Sequence, residues 1–457
     1  MHKRLIIWII SFMFAMLFLS YGVDRVTYKY FTPYSFELFY ASVLFAFISV
    51  NKVYIQRSFT WDIKYILLLG IGIRIIIFSA EPNLSDDYYR FIWDGTLIRN
   101  GINPFVFLPS EVIQWPNSTE LGFTQELYSG FNSQNYYSVY PPVNQFIFFL
   151  SAYFGNGHIF TSVLIIRFCI LIAEIGSIYF LCKLLIQQNI PIKHALWYVI
   201  NPLILLEFTV NLHFESIMIC FMLGALYYLT NKKFVQSGLF WALAICTKLI
   251  PIVYLAFLLK RYTPKQWVII GTTTVICTLL LFIPFWNTVI PDNIQDSLDK
   301  YFGYFEFNAG IPYLIRYIGY QFYDYSILFK VMPLVKKLFI GFVVLYSLSS
   351  LILKKTKSIF TPIYVTAFIY FLFAGILHPW YITFLIPLGL LSKNYTGIVW
   401  SFLIFLSYSA YKSETYAENM WLIGIEFSLL FLVLIIENSK WLQRKLKVDN
   451  SIFVKNI

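Results

Sequence analysis

IFTSVLIIRFCILIAEIGSIYFLC, residues 159–182, is one continuous apolar run whose only charged residues are Arg167 and Glu174. A run of that length crosses the roughly 30 Å hydrocarbon core of a bilayer as a single helix. Outward from it the same signal recurs at 5–21, 34–50, 63–80, 195–210, 215–230, 266–286, 337–353, 359–377, 379–391, 396–411 and 419–437. The 457-residue chain is 59% hydrophobic and 12% charged, with mean hydropathy +0.68, whereas soluble domains carry roughly 25% charged residues. No soluble fold can hide so much apolar surface. Barrel strands alternate over roughly 10 residues, so continuous runs favour helices over an outer-membrane barrel. The reading is an all-α polytopic membrane protein, one transmembrane domain over 1–457, with roughly 12–14 transmembrane helices.

The net charge of +11 does not point to nucleic acid. Basic residues cluster in short connections (Lys3/Arg4, Lys52/Arg57, Lys183/Lys193, Lys232/Lys233, Lys260/Arg261/Lys265, Lys354/Lys355/Lys357 and Lys393) and in a basic cytosolic tail, 438–457, with Lys440, Arg444, Lys445 and Lys447. That is a positive-inside pattern. With the N-terminus inside, the loop 81–140 is external, and it holds seven acidic residues against two basic ones, Arg90 and Arg99. Five cysteines lie in apolar segments with no disulfide or metal spacing. The first 20 residues lack a small-residue cleavage site and read as an uncleaved span. Residues 139–154 read as a surface-lying helix or a partial re-entry. Residues 236–259 read as a helical hairpin broken at Thr247-Lys248-Leu249-Ile250-Pro251, because proline disfavours helix at the preceding residue.

The strongest local feature for chemistry is Leu84-Ser85-Asp86-Asp87-Tyr88-Tyr89-Arg90-Phe91-Ile92-Trp93-Asp94-Gly95, continuing to Gly101-Ile102-Asn103-Pro104-Phe105. Adjacent carboxylates just beyond a span are partly desolvated and can take a proton from a hydroxyl. They also fit a helix start, with Ser85 as cap and Asp86 and Asp87 in the first turn. Lys248 at mid-depth is costly unless paired or hydrated; snorkelling from an unbroken helix is the alternative. Arg74 lies near a span end and reads as snorkelling. Arg167 and Glu174, seven apart, read as a structural ion pair on one helix face. Trp93 and Trp380 read first as interfacial anchors.

The string S-D-D-Y-Y-R-F-I-W-D-G with G-I-N-P-F resembles the first external loop of the GT-C superfamily of membrane glycosyltransferases. It is most similar to the bacterial branch near glycosyltransferase family 87 and the polyprenol-phosphate-mannose-dependent mannosyltransferases. Further strings follow in order: Tyr140-Pro141-Pro142, Asn201-Pro202-Leu203 with Leu206-Glu207-Phe208, Thr247-Lys248-Leu249-Ile250-Pro251, Phe307-Asn308-Ala309 and His378-Pro379-Trp380-Tyr381. Asn211-Leu212-His213-Phe214-Glu215 stands where the branch has N-G-H-N-D. The Gly and the second Asn are lost, so no role carries to Glu215.

The resemblance implies a large first external loop with short surface helices. It implies transfer of a sugar, mannose or a related hexose, from a polyprenyl-phosphate donor to an acceptor hydroxyl on the outer face, with inversion. The external-loop aspartate is the base, here Asp86 or Asp87, with slight preference for Asp86. Lys248, Arg90 and His378 are candidates to hold the leaving lipid phosphate. Asp94, Asn211, His213, Asn308 and Trp380 are the further substrate-binding candidates. No cofactor is demanded. The paired aspartates permit a divalent cation, although three oxygen ligands at a recognisable spacing are not visible. The implied partners are the lipid-linked donor, a glycan, lipid or protein acceptor, and the bilayer, in a bacterial inner membrane with the active site facing outside. A transporter or flippase of lipid-linked saccharide is the alternative, since it too needs buried charges and broken helices. The long acidic loop on one side, and the lack of two similar halves, favour the enzyme.

Overall fold

The computed structural model describes residues 2–22, 25–26, 30–31, 35–56, 59–258, 262–352, 358–412 and 417–439. The basic tail from Lys440 onward, with Arg57, Lys260, Arg261 and Lys354, Lys355 and Lys357, lies outside these. Among the described residues the helices are α1 (His2–Leu17), α2 (Ser35–Tyr54), α3 (Ile63–Ile76), α4 (Asp87–Arg99), α5 (Pro109–Val112), α6 (Gln125–Ser129) and α7 (Pro142–Gly155). Then come α8 (Ile159–Gln187), α9 (Leu196–Val199), α10 (Pro202–Ile204), α11 (Glu215–Thr230), α12 (Phe234–Ile245), α13 (Pro264–Phe282) and α14 (Ile290–Tyr304). The last seven are α15 (Gly310–Tyr323), α16 (Leu328–Ile352), α17 (Phe360–Leu372), α18 (Pro379–Ile382), α19 (Leu385–Ser392), α20 (Thr396–Leu403) and α21 (Met420–Asn438). Described β structure is one two-residue antiparallel pair, Arg25–Val26 with Tyr30–Phe31, and a bridge between Phe307 and Ile376.

The chain is an all-α polytopic membrane protein, as the apolar runs require. Five described helices are long and apolar enough to cross a membrane alone: Lys3–Gly22, Ser35–Tyr54, Ile159–Gln187, Pro264–Phe285 and Met420–Asn438. Pro202–Val210 and Glu215–Thr230 pass the same test only as a pair bent by 113°. Other expected spans are shorter apolar helices, Phe234–Ile245, Phe360–Leu372 and Pro379–Ser392. Among the described residues, then, several of the expected spans are short or broken helices, not single long ones. Proline is one cause: it removes a backbone N–H and disfavours helix at the residue before it. At Asn201-Pro202 the helix restarts, and Asn201 Oδ1 accepts from Leu203 N at 2.9 Å.

Two buried arginines fix the frame around the site. Arg74 does not snorkel; it is fully buried and paired with Glu174 of α8. Its Nε donates to Glu174 Oε2 at 3.1 Å, and its Nη1 donates to the carbonyls of Gly70 and Val199, each at 3.1 Å. Tyr198 Oη donates to the other Glu174 oxygen at 2.7 Å. The expected Arg167–Glu174 pair is thus replaced. Arg167 instead donates to four carbonyls, those of Thr209 (2.6 Å), Val210 (3.1 Å), Phe78 (2.5 Å) and Ala80 (2.5 Å). A guanidinium has five donors, and helix C-termini leave carbonyls unsatisfied. Arg167 therefore staples the chain just past α3 to the end of the π-helical turn Leu205–Val210, which fixes where the motif at Ser85 begins.

The loop 81–140 is folded around α4. Trp93 is fully buried, not interfacial, and packs on Phe123, Tyr128 and Phe131. Asn103 Nδ2 donates to Phe285 O at 2.7 Å, Asn293 Nδ2 to Phe105 O at 2.9 Å, and Tyr137 N to Ser297 Oγ at 2.8 Å. The first two bonds dock the G-I-N-P-F string on the 283–304 segment, and the third docks the end of the loop there. Helix α7, in the stretch expected as a surface-lying helix or a partial re-entry, packs on α4 and α8. Phe91 stacks on Phe148 at 4.7 Å and 9°. Gly95 abuts the Phe148 carbonyl, where a Cβ would sit 2.0 Å from the oxygen. Backbone cannot swing aside as a side chain can, so Gly95→Ala is expected to cost about 1–3 kcal/mol, read as a lowered midpoint of thermal unfolding in detergent. An unchanged midpoint would refute the close approach.

Candidate active site

Helix α4 begins at Asp87, and Asp86 occupies the cap position without a side-chain cap bond. Ser85 lies one residue before the cap; its Oγ accepts from Asp87 N at 3.3 Å. Leu84 N donates to Asn211 Oδ1 at 3.1 Å, and Tyr411 Oη donates to Leu84 O at 3.3 Å. The start of α4 is thereby pinned to the bend between the π-helical turn and α11. That bend carries His213, whose Nδ1 lies 3.9 Å from Asp87 Oδ2. Its Nε2 lies 3.2 Å from Glu207 Oε2, and Tyr408 Oη donates to Glu207 Oε1. Glu215, the first residue of α11, pairs with Lys248. Helix α12 ends at Ile245 and a 3₁₀ helix starts at Ile250, so the chain breaks at Lys248 as its sequence suggested. Pro142 at the start of α7 leaves Val143 N to donate to Cys246 O at 3.0 Å, and Asn144 Nδ2 donates to Thr247 O at 3.1 Å. Irregular backbone of this kind needs such partners.

On the far side, His213 stacks on Trp380 at 3.7 Å and 15°, and Trp380 stacks on His378 at 4.3 Å and 6°. His378 Nε2 lies 3.2 Å from Tyr301 Oη. Lys248 Nζ sits 4.9 Å over the Tyr381 ring. Backbone bonds from Phe307 N to Gly375 O (3.1 Å) and Leu377 N to Phe307 O (2.8 Å) hold the F-N-A and H-P-W-Y strings side by side. Three separated strings, those of Asp86-Asp87, His213-Glu215 and Lys248, thus meet at the Asp87 carboxylate, and the H-P-W-Y string adjoins them through the His213–Trp380 stack.

Asp87 keeps 38% of its side-chain surface accessible and Lys248 30%, while His213 and Glu215 keep 3% each. The aspartate is reachable yet enclosed by protein. Burial foremost, then the charge of Asp86, push its carboxyl from the ordinary 3.8 up to about 7; Glu215 adds to this, and Lys248 and Arg90 oppose it. A carboxylate with raised affinity for protons near neutral pH suits a general base. Only the ionised form accepts a proton, so transfer should rise with pH through a midpoint near 7. The same shift means folding takes up a proton, so this group's contribution to stability falls as pH rises from about 4 to about 7. A pH–rate curve flat from 5 to 8 would speak against Asp87 as a base.

Residues 75–263 match the family described as alpha-(1->6)-mannopyranosyltransferase, N-terminal domain. The match covers under half of the chain and includes Asp86, Asp87, His213, Glu215 and Lys248. It supports the enzyme class expected from the motifs, a mannosyltransferase-like glycosyltransferase of GT-C type. No curated protein matches the chain.

The remaining candidates of this mannosyltransferase-like chain divide. Asp86, Asp87, Asn211, His213, Lys248, His378 and Trp380 gather at the site just described. Arg90 and Asp94 lie in a buried network behind it. Arg90 Nε donates to Asp94 Oδ1 at 2.8 Å, and Arg90 Nη1 donates to the carbonyls of Ser133 (3.0 Å) and Tyr136 (2.9 Å). Asp94 Oδ2 accepts from Ser138 Oγ at 2.5 Å and from Gln145 Nε2 at 3.3 Å. That network shapes the loop, and neither side chain opens to solvent. Asn308 is fully buried with φ 47°; its Nδ2 donates to Glu426 (3.2 Å) and its N to Glu418 Oε1 (2.6 Å). It ties two segments together and faces no opening. Among the described residues no three or more His, Cys, Asp or Glu side chains gather as metal ligands. Glu207, Tyr301 and the Glu215–Lys248 pair went unassigned by sequence reading. Glu207 and Glu215 sit in matched strings, but Tyr301 carries no local signal.

Proposed function

We propose that the protein moves mannose or a related hexose from a polyprenyl-phosphate donor to an acceptor hydroxyl, with inversion, on the outer face of a bacterial inner membrane. The motifs that resemble the glycosyltransferase family 87 branch support this reading. The carrying observation is the position of Asp87, reachable, with His213 3.9 Å away and Lys248 in its field. In this reading Asp87 rather than Asp86 is the base, because Asp87 lies beside His213 and in the field of Lys248. The acceptor hydroxyl gains acidity as its oxygen bonds the anomeric carbon, and Asp87 takes the proton. The sugar–phosphate bond breaks on the opposite face, leaving the lipid phosphate. Lys248 is the cation nearest that growing charge; donor binding draws it from Glu215, and a desolvated ammonium stabilises the phosphate. The ring stack of His213, Trp380 and His378 supplies a flat apolar wall for sugar or prenyl chain.

The test is a transfer assay with the purified full-length chain in lipid nanodiscs, given polyprenyl-phosphate mannose or a nucleotide mannose. Transfer from the lipid donor alone supports the reading. Transfer from the nucleotide sugar alone would overturn the donor class, and movement of intact donor across vesicles without transfer would favour the flippase.

A further inference from the structure

Lys248 has two partners, and they suit a phosphate-binding cation unequally. The carboxylate of Glu215 pairs with it, and its Nζ lies over the Tyr381 ring, 4.9 Å from the centre. A carboxylate neutralises the ammonium and competes with phosphate for its three N–H donors. An aromatic face attracts the same charge through its quadrupole and brings no net charge of its own. Lys248 keeps 30% of its side-chain surface accessible, and its charge reaches Asp87. The Tyr381 ring is fixed from several sides. Tyr381 N donates to His378 O at 3.0 Å, and the ring stacks on Phe371 of α17 at 6.4 Å and 18°. It meets His378 at 5.6 Å and 79° and Trp380 at 5.9 Å and 83°. Tyr381 therefore stands across the wall of His213, Trp380 and His378 and is not one of its layers.

We infer that Tyr381 is a positioning residue for Lys248: its ring face holds the ammonium in the site when the donor's phosphate draws it from Glu215. The inference deepens the function proposed above and rests on Lys248 as the phosphate's cation. A lysine ends a flexible four-carbon stem, and ordering that stem on a ligand costs rotamer freedom. The ring limits the cost by keeping the ammonium near one place in both states. The backbone on either side is anchored independently. The carbonyls of Cys246 and Thr247, just before Lys248, accept from Val143 N and Asn144 Nδ2, while Tyr381 belongs to α18. The charge thus stands ready where the leaving phosphate gains its own, which is how a fixed group stabilises a transition state without reorganising. No bond is made or broken at Tyr381, and the role asks nothing of its hydroxyl.

In the transfer assay Tyr381→Leu should raise KM for the polyprenyl-phosphate sugar about tenfold, while Tyr381→Phe stays near native. Phenylalanines with successive ring fluorines, placed at 381 in the full-length chain in nanodiscs, should raise that KM step by step. Fluorine draws electron density off the ring face and changes its shape little, so the series reads the quadrupole and not the packing. A KM indifferent to fluorination would mean that the ring only fills space, and overturns the inference. A second arm needs no turnover. The chain is ¹³C-labelled at lysine, and polyprenyl phosphate carrying no sugar is the ligand. The Lys248 Cε–H resonance, assigned by its loss in Lys248→Gln, should be displaced upfield of the other lysines by the ring current. It should stay there when polyprenyl phosphate is added and return to the ordinary position in Tyr381→Leu. An ordinary position in the native protein, with or without the ligand, also overturns the inference. A native protein that shows the displaced resonance and transfers no sugar defeats the function reading and leaves the inference standing.

Discussion

Asp87→Asn should lower transfer by about 10²–10⁴-fold, the range a positioned general base supplies, with KM for the lipid donor little changed. Asparagine keeps the shape and the cap geometry of α4 but cannot accept the hydroxyl proton. Asp86→Asn is the informative control. Asp86 is the larger of the two negative charges that raise the Asp87 carboxyl, so its removal should pull the pH–rate midpoint below 7 while leaving the maximal rate within about tenfold. Burial is the leading cause of the shift, so the midpoint should remain above an ordinary carboxylate's. If Asp86→Asn abolished transfer and Asp87→Asn did not, the base would be the other aspartate.

Arg74→Met should cost about 3–5 kcal/mol of stability, because it strands Glu174 uncompensated in a dry interior. Methionine fills much of the arginine's volume, so the loss would report charge rather than a void. The carbonyls of Gly70 and Val199 also lose their donor. The double variant Arg74→Met/Glu174→Leu should recover most of the loss, since a buried pair is often replaceable by apolar groups of similar volume. Thermal unfolding in detergent, or the yield of monodisperse protein, measures both. A double variant no better than the single would mean that the pair orders the helices beyond balancing its own charges.

The membrane class and the position of most helices were legible because burial in lipid writes itself into composition. The broken helix at Lys248 was legible too, because Pro251 disfavours helix just before it and a lysine at mid-depth is costly unless paired or hydrated. The Arg74–Glu174 pair was not. The partners are 100 residues apart, whereas Arg167 sits on the same helix as Glu174 and satisfies the periodicity. Trp93 was misplaced for a related reason: an aromatic near a span end reads as a lipid anchor until a loop folds over it. At the site, the short strings located Asp87, His213, Lys248, His378 and Trp380. They did not say which neighbour each would meet. Glu207 sits in an apolar run with no partner nearby in sequence, and Tyr301 lies in an amphipathic helix whose pattern says nothing about a histidine 77 positions later.

The grip of Val143 and Asn144 on the carbonyls of Cys246 and Thr247 couples two regions that look interchangeable on paper. A chimera that swaps only residues 84–155 for a relative's would bring new side chains to a turn shaped for the old ones. The modular unit for recombination is therefore the external loop together with 246–249, and grafts that respect this seam should fold where grafts that cut through it should not.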